Sequence, residues 1–411
     1  MSTTQRTSFP EAEFFSALTA SGMPEVPQEF AVVPCAQLIA HKTLAEIDDF
    51  IRIFDRITTS AAWLRRVTAE APEIARGQRR EMCFFTAWDF HLSPEQGWQL
   101  IECNDNGSGF LYAVLINRLF YELSDLTRDP AGLPPPTVDA FKNRLAGFIE
   151  RETGEFFGIK PQGLFLIVES SEALAGGKFY QEMLLLRELL RERGRRAEIA
   201  TPGELRWDGK ALLLGDEPVV FVINRATDFF WDGEIFAPLR AAYLSGKVYV
   251  APNPFSYATR SDKRLLEFLS LPHWDREIGI APEERAALSA HVPETYLLTA
   301  ENLDKIAAKK EAFFFKPAQG FASHGVLAAS QVGKGRLRQL LRKKFSYVAQ
   351  KTVPKPVLAS SSDGSDAPLW TDLRVWSYRG ERYLISGRAS KQHDLIDLNP
   401  PGGWLPSFET S

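Results

Sequence analysis

Three oxygen-bearing side chains in one short segment are the best candidates for chemistry in this sequence. Residues 81–105 contain two aromatic runs around a polar, proline-containing stretch, which predicts an antiparallel β-hairpin. With the tip near 94–97, Asp89 lies opposite Glu102, and Asn104 shares the face of Glu102 because side chains alternate along a strand. Two carboxylates and an amide oxygen on one face suit Mg²⁺, which completes its shell with water and phosphate oxygens. A solvated acidic face without a metal is the alternative.

A lysine followed by a loop predicts a phosphate site. In the segment 313–326, Lys316 ends an aromatic strand and precedes a loop that contains Gly320, Ser323 and Gly325. One ammonium group and the N–H groups of such a loop can hold phosphate oxygens. The loop lacks the GxxxxGK[ST] pattern of a P-loop. A surface lysine with its charged end in water is the alternative.

A second lysine and a downstream strand extend this hypothesis. Lys263 stands at a predicted helix start, where backbone N–H groups favour anions, although an ordinary solvated helix residue fits the same position. The strand YVAQKTVP ends with Gln350, Lys351 and Val353. Its edge could offer backbone donor and acceptor groups to an adenine ring, whose faces the apolar neighbours would cover. An ordinary strand end is the alternative.

Two arginines are candidates for catalysis. Arg374 in TDLRVW and Arg388 in SGRAS lie on successive predicted strands. A guanidinium group binds phosphate or carboxylate through two parallel hydrogen bonds. Surface ion pairs are the alternative. The three cysteines form neither a CxxC pair nor a disulfide framework, and no cysteine–histidine nucleophile pair is recognisable.

The elements that must position these residues fall into three blocks. Residues 11–78 have apolar side chains at three- and four-residue spacing, which predicts helices. From about residue 160, apolar strands alternate with helices, which predicts a parallel sheet in a Rossmann-like unit. This unit lacks GxGxxG, so a dinucleotide is not its expected ligand. Strands at 312–318, 345–353 and 369–390 predict a mainly antiparallel α+β block.

Composition excludes several classes of protein. The 411 residues are 45% hydrophobic and 24% charged, which is typical of a globular chain. With 52 acidic and 48 basic residues the formal charge is -4, which argues against a nucleic-acid partner. No apolar run approaches the roughly 18 residues of a membrane span. The start of the chain lacks a secretory pattern, so we expect a cytoplasmic protein. A homodimer is an option that the sequence leaves open.

The order of these motifs resembles that of the ATP-grasp superfamily. An ATP-grasp enzyme has a Rossmann-like pre-ATP-grasp domain, two phosphate-binding lysines, a hinge, a D-x-R strand and an acidic pair ending in E-x-N. Here the acidic hairpin comes first, which looks like the circularly permuted branch that includes glutathionylspermidine synthase. The resemblance runs from about residue 80 to the C-terminus. It implies an α+β and α/β fold with a helical and acidic-hairpin part (1–155), a pre-ATP-grasp domain (160–258) and nucleotide-binding subdomains (259–411).

The resemblance also implies a role for each candidate residue. Asp89, Glu102 and Asn104 would bind Mg²⁺, and Lys263 and Lys316 would bind the phosphates of ATP. A loop with Gly320, Ser323 and Gly325 would cover the phosphates. Gln350, Lys351 and Val353 would form the adenine hinge. Arg374 and Arg388 would be the catalytic arginines. One departure is Ala87, which stands where synthetases of the glutathionylspermidine type have an arginine.

The expected function is an ATP- and Mg²⁺-dependent ligase that joins a carboxylate to an amine, or to a thiol, through an acyl phosphate. Its partners would be small molecules of the amino acid, peptide or polyamine class. The main alternative is an ATP-binding scaffold or regulatory protein with the same fold and little or no catalysis. A phosphotransferase would need a phosphohistidine domain, which none of the six histidines suggests.

Overall fold

The computed structural model describes most of the chain. The described residues are 2–6, 10–21, 31–93, 97–128, 133–320, 325–343, 346–358, 368–390, 398 and 402–410. Across these ranges, no helix has the length and apolar character that a membrane crossing requires. Ser323 and the hairpin tip at 94–96 lie outside the described residues.

Within the described ranges the strands form four sheets. In chain order they are β1 (Ser2–Arg6), β2 (Cys35–Ala40), β3 (Thr86–Ser93), β4 (Gly97–Asn104), β5 (Leu164–Val168), β6 (Arg196–Ala200), β7 (Leu205–Trp207), β8 (Leu212–Leu214), β9 (Glu217–Asn224), β10 (Tyr249–Ala251), β11 (Thr295–Leu297), β12 (Phe313–Pro317), β13 (Tyr347–Lys351), β14 (Val357–Leu358), β15 (Leu369–Tyr378), β16 (Glu381–Ser390), β17 (Gly403–Leu405) and β18 (Ser407–Thr410).

The helices connect and cover these sheets. The α-helices are α1 (Glu11–Ala20), α2 (His41–Thr58), α3 (Ala61–Glu70), α4 (Phe110–Leu123), α5 (Val138–Phe157), α6 (Ser171–Leu174), α7 (Tyr180–Glu192), α8 (Ala237–Leu244), α9 (Pro254–Ser256), α10 (Arg264–Ser270), α11 (Trp274–Ile278), α12 (Pro282–His291), α13 (Leu303–Ala308) and α14 (Lys334–Leu340). A π-helical turn follows α9 at Tyr257–Ser261. Short 3-10 helices occur at Glu73–Ala75, Asp125–Arg128, Pro202–Glu204, Glu234–Phe236, Lys310–Ala312 and Ala329–Gln331.

The large antiparallel sheet joins distant parts of the chain. Its strand order is β4-β3-β15-β16-β17, and β14 pairs with β15. The predicted hairpin is confirmed as β3-β4, although β3 begins at Thr86 and runs to Ser93, through residues that the sequence assigned to the turn. Because β3 pairs with β15, the acidic hairpin and the arginine strands share one sheet.

Helix α2 covers the back of this sheet. Phe54 packs edge to face on Trp88 at a centroid distance of 4.8 Å, and Phe50 packs on Phe90 at 6.2 Å. All four rings are buried, and each contributes roughly 1.5–3 kcal/mol through removal of apolar surface from water. The core on this face leaves the opposite face of the hairpin available for polar groups.

The middle of the chain forms the predicted parallel sheet. Strands β6, β5, β9 and β10 are adjacent and parallel, and β7 and β8 add an antiparallel extension. Strand β5 is apolar throughout because helices cover both faces of the sheet. Phe165 and Ile167 pack in the core that contains α7, whereas Leu166 and Val168 pack in the core that contains α8.

A small antiparallel sheet carries the predicted phosphate lysine and the hinge. Its order is β11-β13-β12, and β12 and β13 confirm the strands predicted at 312–318 and 345–353. The sheet has its own core, in which Phe315 packs with Ile306 of α13 and Leu337 of α14.

Within the described part of 11–78, where the sequence predicted helices with irregular connections, the prediction is wrong at β2. Strand β2 replaces the start of the predicted helix, and α2 begins at His41. Strand β2 pairs antiparallel with β1 and parallel with β18, which lies at the other end of the chain. A segment as short as the six residues of β2, CAQLIA, does not distinguish strand from helix by periodicity, so these distant partners decide.

Candidate functional site

A β-bulge directs Glu102 into the site. Phe90 pairs with Leu100, but the next pair is Asp89 with Glu102, so Ile101 is an extra residue in β4. In a regular strand Leu100 and Glu102 would share one face. The bulge allows Leu100 to remain in the core while Glu102 lies opposite Asp89, as the sequence predicted.

Asp89 is bound by both predicted catalytic arginines. Arg374 donates from Nε to Oδ1 and from Nη2 to Oδ2 of Asp89, each at 2.7 Å. Arg388 donates from Nη2 to Oδ2 of Asp89 at 2.8 Å and also pairs with Asp372. The two arginines therefore join two buried carboxylates in one cluster on the front face of the large sheet.

The two carboxylates of this cluster have opposite electrostatic environments. Burial would raise the pKa of Asp89, but the charges and hydrogen bonds of Arg374 and Arg388 outweigh it and hold that pKa well below its usual range. Burial raises the pKa of Asp372, and the charge of Asp89 adds to this although Arg388 opposes it. Asp89 is therefore the anion that both arginines neutralise.

The predicted phosphate lysines converge on the hairpin. Lys263 directly precedes α10, as predicted, and its Nζ donates to the carbonyl of Gly320 at 2.8 Å and lies 3.5 Å from Glu102 Oε2. Lys316 is 8% exposed on β12. Burial and the charge of Lys263 lower the pKa of Lys316 to about 8, although Glu102 opposes this. Two buried cations thus lie beside the acidic hairpin.

The predicted adenine hinge differs from expectation. Strand β13 is the central strand of the small sheet, not an edge, so its backbone groups pair with β11 and β12. The N–H of Lys351 donates to Glu294, the N–H of Thr352 donates to Ala312, and the side chain of Gln350 donates to the Ile101 carbonyl. The prediction of a strand edge is therefore wrong, since β13 has a neighbour on each side. No pattern in the sequence indicated the second neighbour, β11. The adenine hinge stays a prediction. Adenine would have to be bound by Val353 and by side chains of this segment, not by the paired backbone groups of β13.

One cavity of about 390 Å³ contains nearly all of the predicted residues. Those that line it are Asp89, Glu102, Asn104, Lys263, Lys316, Gly320, Gln350, Lys351, Val353, Arg374 and Arg388. Gly325 is not among the lining residues; its carbonyl accepts a hydrogen bond from Tyr347 at 3.3 Å. Its φ of +76° is a left-handed conformation that favours glycine.

Several lining residues were missed by sequence reasoning. Asp372 stands two positions before Arg374, and this alternation could have placed it on the same face. His91 shares that alternation with Asp89; burial and Lys355 lower its pKa to about 3, so the ring is neutral. No local pattern distinguished Lys355. The lining also includes Asn106, Ser108, Lys178, Phe179, Thr227 and Phe229.

The loop after β4 packs closely on β3, which explains why position 87 holds alanine, a small residue. A side chain at Gly107 would collide with the methyl group of Ala87 and the carbonyl of Phe85, so the loop after β4 lies directly on β3. Trp376 fixes the loop by donating from Nε1 to the Gly107 carbonyl at 3.0 Å. An arginine at position 87 has no room beneath this loop.

The predicted metal ligands have the right chemistry for magnesium. Asp89, Glu102 and Asn104 lie on one face, and Asn104 Nδ2 donates to Glu102 Oε1 at 3.2 Å. Among the residues described, no cluster of three or more His, Cys, Asp or Glu side chains suits a metal ion. Two carboxylates and an amide oxygen nevertheless fit Mg²⁺ when phosphates supply further ligands. Magnesium binding stays a prediction, and Asp89 would have to exchange an arginine for the ion.

Several solved structures are similar to this chain to different degrees. A glutathione synthetase-like effector from Globodera pallida matches with a TM-score of 0.53 and 13% identity, over 90% of this chain and 88% of that chain. A gamma-glutamylcysteine synthetase candidate from Methylobacillus flagellatus matches at 0.46 and 11%, over 85% and 82%. A RimK-domain ATP-grasp protein from Sphaerobacter thermophilus matches at 0.28 and 14%, over 58% and 89%. No protein-family model and no curated protein matches the chain.

The match to the effector defines the class of fold. This protein shares its mixed α+β fold with the glutathione synthetase-like effector, and membership of the ATP-grasp superfamily stays a prediction. At 13% identity the likeness shows the fold alone. Circular permutation stays a prediction.

Proposed function

We propose that this protein is an ATP- and Mg²⁺-dependent ligase that joins a carboxylate to an amine, or to a thiol, through an acyl phosphate. The observation that carries the proposal is the convergence of Lys263, Lys316, the acidic hairpin and two arginines on one cavity. These groups come from two sheets and from the residue that precedes α10, and they belong to both halves of the chain. The fold shared with a glutathione synthetase-like effector agrees with this class of reaction.

The side chains would act by position and charge. Lys316 and Lys263 would neutralise the phosphates of ATP while a substrate carboxylate attacks the γ-phosphate. Arg388 and Arg374 are within reach of the same region and would stabilise the transferring group by bidentate hydrogen bonds. The amine would then displace phosphate from the acyl phosphate. Such transfer needs no nucleophilic side chain.

Magnesium would bind at Asp89, Glu102 and Asn104 and supply positive charge to the phosphate oxygens during transfer. The chain's own part is to hold these oxygen donors on one face, which the bulge at Ile101 achieves.

A covalent cysteine mechanism is not supported. Cys35, Cys83 and Cys103 are all buried. Burial raises the pKa of Cys83 and of Cys103, so neither thiol ionises readily. This agrees with activation of the carboxylate by phosphate rather than by an enzyme thiol.

One observation favours the scaffold alternative. Both oxygens of Asp89 accept hydrogen bonds from arginines, so this carboxylate is already neutralised without a metal. An ATP-binding protein that needs no metal at Asp89 could keep this arrangement. In the ligase, Asp89 would give up hydrogen bonds to the arginines in order to bind Mg²⁺. In the scaffold protein, it would keep them.

The test is release of ADP from Mg-ATP in the presence of pooled amino acids, small peptides, polyamines and thiols, together with the thermal shift that ATP produces. A ligase gives both signals. A shift without ADP release from any pool supports the scaffold. Absence of both signals sinks both candidates.

Lys316→Met and Lys305→Met form a matched pair for this test. Lys316 lines the cavity, whereas Lys305 is exposed on α13. We expect Lys316→Met to lower ADP release by at least about 100-fold, because it removes a cation from a desolvated phosphate site. Lys305→Met should behave as the wild type. Equal activity of the two variants would contradict the assignment.

A further inference from the structure

A buried cluster of polar side chains joins the end of β4 to the segment that precedes Lys263. It consists of Thr86 at the start of β3, Asp105 directly after β4, and Arg260 and Ser261 of the π-helical turn. We call these four residues the Asp105 cluster. Asp105 is 0% exposed, Ser261 1% and Arg260 8%. None of the four is among the described residues that line the cavity, so they can act on a bound ligand only through other residues.

Three hydrogen bonds hold Asp105 in place. Its backbone N–H donates to Ser261 Oγ at 2.9 Å. Its Oδ1 accepts hydrogen bonds from Arg260 Nε at 3.1 Å and from Thr86 Oγ1 at 2.9 Å. Arg260 also donates from Nη1 to Asp55 of α2 at 2.6 Å. Two consecutive residues of the π-helical turn therefore contact Asp105, and the turn is itself fixed to α2.

The Asp105 cluster is close in sequence to two groups of the proposed site. Asp105 comes three residues after Glu102, and Lys263 comes two residues after Ser261. Lys263 Nζ lies 3.5 Å from Glu102 Oε2. Chain segments this short leave little freedom between the cluster and the two charged groups. The contacts of the cluster thus set the distance between the segment that carries Glu102 and the segment that carries Lys263.

Stability alone does not explain why this cluster is charged. A buried ion pair is often no more stabilising than an apolar contact of similar size, because both charged groups lose their hydration. Buried polar networks whose hydrogen bonds are made can instead impose one geometry on the groups around them. The π-helical turn is also a rare element that is frequent at functional sites. A positioning role for the Asp105 cluster accounts for both features.

We propose that Arg260 and Ser261 are positioning residues for ATP binding. Through their contacts with Asp105 they hold the Lys263 ammonium group beside Glu102, where it meets the phosphates of ATP. The inference rests on the proposed ATP-dependent function and extends it to two residues outside the cavity. Loss of the Ser261 contact allows Lys263 to shift relative to Glu102, which weakens the binding of phosphates. Adenosine has no phosphate, so its binding is retained.

Isothermal titration calorimetry of the full chain with Mg²⁺ and a non-hydrolysable ATP analogue tests this without turnover. Ser261→Ala removes the oxygen that accepts the hydrogen bond from the N–H of Asp105. We expect Kd for the analogue to increase roughly five-fold or more, and Kd for adenosine to change by less than about two-fold. An unchanged Kd for the analogue, or an equal increase for both ligands, would overturn the proposal.

A double-variant experiment shows whether Ser261 acts through Lys263. Lys263→Gln by itself should weaken binding of the analogue, because it removes a cation from the phosphate site. If Ser261 acts by placing this lysine, Ser261→Ala has no further effect on Kd in the Lys263→Gln background. Equal losses of affinity in both backgrounds would contradict the proposal. Where Lys263→Gln binds the analogue too weakly for this comparison, the comparison with adenosine decides.

Ser377→Ala is the matched control. Ser377 is also fully buried, and its hydroxyl accepts a hydrogen bond from Trp88 Nε1 at 2.8 Å. It is not among the residues that line the cavity, so Ser377→Ala should bind the analogue as the wild type does. Similar weakening by both serine variants would assign the effect to a general loss of stability and overturn the proposal.

Arg260→Lys is the second variant if Ser261→Ala does not fold. It keeps the positive charge, but one ammonium group cannot replace both guanidinium contacts, with Asp55 and with Asp105. We expect the same weaker binding of the analogue with adenosine binding retained, and wild-type affinity for the analogue would overturn the proposal. If the wild type does not bind the analogue at all, the proposed function itself fails and this inference fails with it, which is a distinguishable result.

Discussion

Lys316 has to remain charged although it is buried. Its surroundings lower its pKa to about 8, because burial and Lys263 disfavour the ammonium form. At neutral pH most of the lysine is still protonated. Bound phosphates favour the ammonium form, so binding of ATP would raise the pKa again.

The affinity for ATP should therefore fall as the pH rises through about 8. Above this pH the free protein has lost the proton that the complex needs, so ATP binding takes up a proton and Kd increases by up to about ten-fold per pH unit. Calorimetry in two buffers with different ionisation enthalpies measures the proton uptake. Lys316→Arg keeps its charge at every accessible pH and should remove this dependence. An unchanged pH dependence in Lys316→Arg would assign the titration to another group.

At the scale of elements, two helices cap each other beside the cavity. Glu182 of α7 accepts hydrogen bonds from Gly109 and Leu111 at the start of α4, at 2.8 and 2.9 Å. In return, the hydroxyl of Tyr112 in α4 accepts a hydrogen bond from the N–H of Glu182 at 2.9 Å. These reciprocal contacts hold the loop after β4 to the parallel-sheet unit.

Glu182→Gln should lower the free energy of unfolding by about 1–3 kcal/mol. The amide keeps one acceptor oxygen but places a donor against a backbone N–H in a buried site. Glu188→Gln on the same helix is the control, because that side chain is 51% exposed and its ion pairs contribute little. Denaturant unfolding of both variants gives the comparison. Equal stability of the two would show that the caps are not important for the fold.

At the scale of the whole molecule, charge is unevenly distributed. The chain has a formal charge of -4, whereas the described lining of the cavity has seven basic and three acidic side chains, an excess of four positive charges. The large sheet makes this possible, because it combines the acidic hairpin with strands from the C-terminal part of the chain. An acidic protein can thus attract an anionic ligand locally.

Salt should weaken binding of ATP although the protein is acidic overall. Between about 0.05 M and about 0.5 M salt we expect Kd for ATP to increase roughly ten-fold, because counter-ions screen the cationic cavity. Adenosine has no phosphate charge and is the control ligand; its affinity should change little. If Kd for ATP and Kd for adenosine increased equally with salt, the excess positive charge of the cavity would not act on the phosphates.

Sequence alone predicted the residues whose type and position reflect local chemistry. Alternation, apolar runs and turn residues predicted three features. These are the position of Asp89 opposite Glu102, the strand that carries Lys316, and the parallel strands of the middle unit. The resemblance to the ATP-grasp superfamily followed from the order of the motifs along the chain. Alternation, apolar runs and turn residues involve residues close together in sequence, so a local pattern reveals them, whereas the resemblance depends on the order of separate motifs.

The tertiary structure alone decided the partners of these residues. The pairing of Asp89 with Arg374 and Arg388 joins residues that are 285 and 299 positions apart. The bulge at Ile101 and the central place of β13 depend on which strands pair and in which register. Packing and sheet pairing set such contacts, and no local pattern encodes them. Sequence therefore determined which groups the site contains, and the tertiary structure determined which of them touch.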